Sequence, residues 1–302
     1  MRTCLMTAFA CLAVVGCARP PGDASGVTGV FGETGFGAGE FSYPRAVAVG
    51  HDGLVYVADK TGRIQRFDAE GRWQIQWFMP EYQSGKPTGI TIDNQGRLFA
   101  ADTHYSRVIV FDRDGREIGR FGTQGRGPGQ FELPTDVAID REGFIYVSEY
   151  GGNDRISKFT PAWQFVCSFG GPDSGDAALL RPSGMVFDED HDLWVADACH
   201  HRICRFDRSG RFLGAFGTLG KEPGRLCYPY DIDRLADGTL LVCEYGNNRL
   251  QRFDRSGRSL GTWGTAGRRL GQLAYPWGLA VGPQQRIYVV DSGNNRIQIV
   301  TL

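Results

Sequence analysis

Pro134-Thr135-Asp136-Val137-Ala138-Ile139-Asp140 is a short apolar and β-branched run opened by a proline, and it recurs. Prolines 44, 87, 134, 182, 229 and 276 each open such a run, at intervals of 43, 47, 48, 47 and 47 residues. A second ladder keeps the same register: Asp59, Asp102, Glu149, Asp197, Glu244 and Asp291 each close a strand-like run such as Val55-Tyr56-Val57-Ala58. A third is Arg63, Arg107, Arg155, Arg202, Arg249 and Arg296. A period in the forties, with four β-branched or aromatic runs per unit and Asp-Gly or Asn-Gly turns between them, predicts propeller blades and excludes a stack of helices.

The ends of the repeat predict how the ring closes. Thirteen positions separate Phe121 from Pro134, Phe169 from Pro182, Phe216 from Pro229 and Trp263 from Pro276. Phe31 stands at the same distance from Pro44, and Gly35, Gly39 and Phe41 match Gly125, Gly129 and Phe131. The first unit thus begins with a fourth strand, and the last unit reaches Val300 without one. The expected fold is all-β: a monomeric six-bladed β-propeller whose ring is closed by an N-terminal strand in the last blade, leaving no open sheet edge.

Composition agrees. The 302 residues are 41% hydrophobic and 22% charged, with 43 glycines and 14 prolines against 4 methionines, an all-β habit built on turns. Lys plus Arg total 33 against 34 acids, so there is no basic excess to neutralise a run of phosphates, and nucleic acid is not an expected partner.

The N-terminus reads as a targeting segment. Arg2 precedes an apolar stretch from Cys4 to Val15, too short to span a bilayer but suited to a signal-peptide core. Val14-Val15-Gly16-Cys17 resembles the bacterial lipobox, which implies a signal peptide over residues 1–16 and lipidation of Cys17. A Pro/Gly/Ser-rich tether over residues 17–28 would follow, with the propeller over residues 29–302. The expected location is the cell envelope, with the membrane reached through the lipid anchor only. Ala18 after the cysteine resembles outer-membrane lipoproteins of Gram-negative cells, which would place the domain on the periplasmic or outer-membrane side.

Asp291-Ser292-Gly293-Asn294-Asn295-Arg296-Ile297-Gln298 and Pro276-Trp277-Gly278-Leu279-Ala280-Val281 resemble NHL repeats. The resemblance implies a six-bladed propeller with a central channel, a fold that hosts both inert binding platforms and enzymes, so function has to be argued from the site. Propeller lyases that release peptide amides are similar, and they place zinc-binding histidines directly after the blade-opening proline. Here those positions read Arg45, Thr88, Thr135, Ser183, Tyr230 and Trp277, so the zinc set is absent. His104, His200 and His201 fall on turns, His104 or His201 in the consensus asparagine slot, and no metal site is expected from them.

The acid and arginine ladders recur in every unit and read as cross-strand ion pairs of the scaffold. Departures from the repeat are more telling. The residue two after the proline is Ala46, Gly89, Gly184 or Gly278 in four units but Asp136 and Asp231 in the third and fifth. The same two units replace the ladder aspartate with Glu149 and Glu244, followed by Tyr150 and Tyr245. If these face the channel, Asp136, Glu149, Asp231 and Glu244 put four carboxylates near one mouth, a set that would bind calcium or hold a proton between like charges. The alternative is that each aspartate caps backbone N–H groups and each glutamate pairs with its arginine.

Five cysteines follow Cys17: Cys167, Cys199, Cys204, Cys227 and Cys243, an odd count in which Cys199 and Cys227 fall on turns of one face and could bridge. No nucleophile elbow or phosphate-binding loop appears. The leading expectation is a non-catalytic platform that binds a protein or small molecule at the channel mouth through Arg45, Tyr230, Trp277, Tyr150 and Tyr245. The alternative is a lyase or lactonase-type hydrolase working through the carboxylates with calcium. A resemblance to the NHL domains of tripartite-motif ubiquitin ligases, some of which bind RNA, fails here on the missing RING motif and the non-basic charge.

Overall fold

The structure, a computed structural model, describes residues 26–83 and 86–302. The expected signal peptide, Cys17 and most of the expected tether lie outside the described residues. Six four-stranded antiparallel sheets stand around a central channel. Blade three shows the pattern: Leu133–Ile139 lines the channel, followed outward by Ile145–Tyr150, Arg155–Phe159 and Phe165–Phe169. Residues of the second strand are covered by neighbouring blades on both faces, so Val55–Asp59 or Leu98–Asp102 is buried at every position and reads as an unbroken apolar run. The outermost strands alternate instead: Phe165–Phe169 and Phe212–Phe216 are half-buried and exposed by turns.

The core therefore lies between blades rather than within them. Six apolar clusters fill the six interfaces, for example Phe99, Val108, Val110, Val147 and Phe159 between blades two and three. The ring closes as the sequence predicts: Val27–Phe31 pairs antiparallel with Arg296–Val300, with Phe31 opposite Ile297. Phe31 then packs on Phe67 of blade one, ring centroids 4.8 Å apart, which makes the closing joint as apolar as the other five.

Each ladder acid pairs with its arginine. The distances are 2.8 Å for Asp59–Arg63, 2.8 Å for Asp102–Arg107, 2.6 Å for Glu149–Arg155, 2.8 Å for Asp197–Arg202, 2.6 Å for Glu244–Arg249 and 2.7 Å for Asp291–Arg296. The acids are at most 1% exposed, so these are interior bonds. Asp59, Glu149, Asp197, Glu244 and Asp291 also accept a backbone N–H from the loop leading into their blades, as Asp291 does from Ala274 at 2.7 Å, and the arginine donates to carbonyls of that loop, as Arg296 does to Gln272 at 3.0 Å. Removing one partner of such a buried pair costs about 3–5 kcal/mol.

A second device joins successive blades. In four blades the residue before the opening proline has left-handed backbone, with φ of 53° at Tyr43, 56° at Arg181, 47° at Tyr228 and 51° at Tyr275. Bulky residues pay about 1–2 kcal/mol to adopt this, and a residue that precedes a proline normally favours extended backbone. Each is held by one bond to the preceding blade in the ring. The amides of Tyr43, Arg181, Tyr228 and Tyr275 donate to Asn295 Oδ1 at 2.6 Å, Asp154 Oδ1 at 2.5 Å, His201 Nδ1 at 3.1 Å and Asn248 Oδ1 at 2.7 Å. His201 thus fills an asparagine slot as a hydrogen-bond acceptor. The five cysteines after Cys17 are all free thiols, so the bridge between Cys199 and Cys227 does not form.

Candidate functional site

At the end of the channel where the inner strands begin, a funnel of about 430 Å³ opens. Its wall carries Arg45, Tyr150, Arg181, Tyr230 and Trp277, and its depth carries Asp136, Asp231 and Asp233. Tyr245 backs the wall, stacked on Tyr230 at 4.7 Å and edge-on to Trp277 at 5.7 Å. Tyr230 meets Trp277 at 5.0 Å, and Tyr43 meets it from the other side at 6.0 Å. One rim of the mouth is therefore a continuous aromatic surface supplied by blades one, five and six.

Two guanidinium groups lie on these rings. Arg45 Cζ is 4.8 Å from the Trp277 centroid, and Arg181 Cζ is 5.1 Å from Tyr150 and 5.5 Å from Tyr230. Among the described residues neither side chain forms an ion pair with an acid, and the buried Arg45 Nε has no hydrogen-bond partner. They come from blades one and four, on opposite sides of the ring, yet both reach inward. Burial, and to a smaller degree the like charge of Arg181, lower the pKa of Arg45. Lys86 and Arg45, after burial, also lower the pKa of His104, which lines the same funnel.

The aspartates below have structural bonds to make. An innermost strand presents unpaired N–H groups to the channel, and these need acceptors. Asp136 accepts the Met185 amide of blade four at 2.9 Å. Asp231 accepts the Leu279 amide of blade six at 2.8 Å and its own neighbour Ile232 at 2.9 Å. Asp233 accepts Val281 at 2.6 Å and Arg234 at 2.7 Å. All three are enclosed by protein while keeping some surface open to the funnel. Burial pushes Asp136 up to about 7 and Asp233 up to about 6. Burial, then the charge of Asp136, hold Asp231 well above the carboxylate range.

The expected gathering of Asp136, Glu149, Asp231 and Glu244 needs correction. Asp136 and Asp231 reach the funnel, but Glu149 and Glu244 do not line it; they are fully buried on the arginine ladder. Glu149 accepts from Arg155, Asn153 and the Glu132 amide, and Glu244 from Arg249, Asn247, Gln251 and the Cys227 amide. Both are spent on joining strands two and three to the entering loop. Calcium does not fit the remainder: the aspartate oxygens already accept amide N–H bonds, and among the described residues no group of three or more His, Cys, Asp or Glu side chains is placed to hold a metal ion. The thiol of Cys199, close to the mouth, is pushed up by burial and is no thiolate nucleophile at neutral pH.

Sequence reasoning missed Arg181 and Asp233. Arg181 stands in the pre-proline slot, where Tyr43, Tyr228 and Tyr275 also stand, and its departure from tyrosine was a legible signal. Asp233 lies two residues from Asp231, and the period of a strand puts the two on one side.

These features define a class, a six-bladed β-propeller with a polar funnel walled by aromatic rings. NHL repeats match over residues 179–206 and 273–300, and a family described as a 6-bladed beta-propeller matches over residues 81–155. The chain is a six-bladed propeller carrying NHL repeats. It is 32% identical over 109 residues to protein brain tumor of Drosophila melanogaster, covering 36% of this chain and 10% of that protein. It is 31% identical over 113 residues to the rat (Rattus norvegicus) peptidylglycine alpha-amidating monooxygenase, covering 35% of this chain and 11% of the relative. The chain thus spans about a tenth of the length of these relatives. Among solved structures, a streptogramin B lyase aligns with a TM-score of 0.67 at 17% identity over 93% of this chain and 100% of its own. A putative gluconolactonase aligns with a TM-score of 0.66 at 18% identity, over 88% of this chain and 90% of its own. At such identity the likeness is one of fold, which this chain shares with lyases and lactonases.

Proposed function

We propose that this chain is a ligand-binding propeller of the cell envelope, held to a membrane through lipidated Cys17 and binding a small molecule or a protein segment at the channel mouth. The observation that supports it is the pair Arg45 and Arg181, without an acid partner among the described residues and laid on the rings of Trp277, Tyr150 and Tyr230. Scaffold arginines in this fold are paired, as all six ladder arginines are; a cation left unpaired over half-buried aromatic faces that line a funnel is recognition chemistry. The funnel volume of about 430 Å³ suits a small ligand or one side chain of a partner.

Ligand-observed magnetic resonance with an aromatic fragment library, read together with Trp277 fluorescence, tests the reading. Binders should quench the Trp277 signal, and Trp277→Ala should remove it. A library with no member that binds at the mouth overturns the reading. For the anchor, Cys17→Ser should move the protein from the membrane to the soluble fraction or leave it unprocessed; a variant that stays with carbonate-washed membranes rejects lipidation.

A second reading is favoured by one feature, the carboxyl of Asp136 under the mouth, pushed up by burial to about 7. A carboxyl that titrates near neutral pH is a general acid or base within reach of a bound ligand. The fold shared with a streptogramin B lyase and a putative gluconolactonase adds to it. Turnover of a lactone or of a streptogramin B, abolished by Asp136→Asn with folding intact, would make this a lyase or lactonase-type enzyme in place of a platform.

A further inference from the structure

We infer that the ligand of this mouth is a small monoanion, a carboxylate carried on a flat apolar body, and that Arg45 and Arg181 clamp its charge from opposite sides of the ring. The inference rests on the mouth being a binding site and goes on to name what it binds. Three observations carry it.

The first is convergence of like charge. Arg45 leaves blade one and Arg181 leaves blade four, yet both guanidinium groups lean over the mouth. Like charges brought together without an acid are unfavourable in a partly dry site, and an anion between them removes that cost. The second is an unmet bond. Arg45 Nε–H is buried without a partner among the described residues, a donor left unsatisfied by the protein. A carboxylate offers two acceptor oxygens, and the planar guanidinium presents a matching fork. The third is how Arg181 is aimed. The residue at 181 keeps a left-handed φ of 56° directly before a proline, held by the 2.5 Å bond from its amide to the buried Asp154. That backbone, disfavoured for any side chain but glycine, turns the side chain over Tyr150 and Tyr230.

The aromatic surface of Tyr230, Tyr245 and Trp277 supplies the place for a flat apolar body. The floor argues against a more highly charged ligand. Asp136, Asp231 and Asp233 lie beneath the arginines and among the described residues no further Lys or Arg lines the funnel, so a second negative charge reaching that depth would find no cation to pair with. A single charge at the rim with a neutral body below satisfies both levels.

The test uses the folded chain without its signal segment and a matched fragment set, in which each aromatic scaffold occurs as a carboxylate, a primary amine and an alcohol. Carboxylates should bind at least about tenfold more tightly than their alcohols, a ratio worth about 1.4 kcal/mol, and the preference should shrink with added salt. Arg45→Met with Arg181→Met, which keeps the apolar stems, should erase the preference. Because neither arginine is paired with an acid, this variant should melt no lower than the parent. Amines or alcohols binding as well as carboxylates would overturn the inference while leaving the mouth a binding site. Binding by no member of the set would overturn both. A melting temperature several degrees lower in the double variant would show the arginines to be structural, and the clamp would fall with it.

Discussion

His201 holds a place that asparagine fills in the two blades after it, Asn248 and Asn295, and it has the same left-handed backbone and the same task. Its Nδ1 accepts the Tyr228 amide, so the ring must be neutral. Burial first, then the neighbouring His200, lower its pKa from the ordinary 6.5. A base with a lowered folded pKa gives stability that is whole above 6.5 and is lost as pH falls through the folded value. Denaturant melts at pH 5, 6 and 7.5 should therefore show a decline on the acid side that His201→Asn flattens, because asparagine keeps both acceptor and left-handed backbone. An unchanged slope in His201→Asn would show that this bond does not sense pH. The asparagine slot was legible as a turn residue; its bond was not, because the partner is an amide of the next blade.

At the scale of the inner strand, Asp136 and Asp231 were legible as departures from small residues, and the channel does receive them. What a single repeat could not reveal is that each is seated by a glycine of the blade before it. A Cβ on Gly184 would lie 2.0 Å from Asp231 Oδ1 and 2.7 Å from its Cα, and one on Gly89 would lie 2.5 Å from Asp136 Oδ1. Gly184→Ala should thus displace Asp231 from the Leu279 amide and lower stability by about 1–3 kcal/mol, measured by urea unfolding; a neutral effect would mean the strand shifts freely. The glutamates misled because their covariation with the aspartates reads as one site, while their length serves a different junction. Asp136 also makes a prediction of opposite sign to His201. Its carboxyl rises from the ordinary 3.8 to about 7, so the stability it contributes is whole below 3.8 and is lost as pH rises through about 7. Asp136→Asn should reduce the fall in melting temperature between pH 5 and pH 8; an unaltered fall would locate that titration elsewhere.

For the whole molecule, blade number and closure were readable because the repeat is strict and its first and last copies are complementary. The inter-blade cores follow from that arithmetic: each blade is buried on two faces, and only its outermost strand shows a half-exposed alternation. Deleting residues 27–40 removes the strand that pairs with Arg296–Val300 and takes Phe31 from the last interface. Burial of one such ring is worth about 1.5–3 kcal/mol, and the uncovered edge becomes a template for pairing with other chains. Size-exclusion chromatography should show aggregates and the melt should broaden or move down. A monomeric deletion with the parent's melting temperature would show that the ring does not depend on its closing strand.

The closing strand also has a direction. Val27 lies opposite Val300 and Phe31 opposite Ile297, next to the Arg296 end where the funnel opens. The strand therefore runs toward the funnel, and Gly26, whose carbonyl accepts the Thr301 amide at 3.1 Å, sits at the far side of the disc. A tether to a lipid on Cys17 would leave from that far side. Were the proposed lipid anchor present, the propeller would rest with its back to the bilayer and its funnel facing outward, where a diffusing solute would meet Arg45 and Arg181 before the membrane.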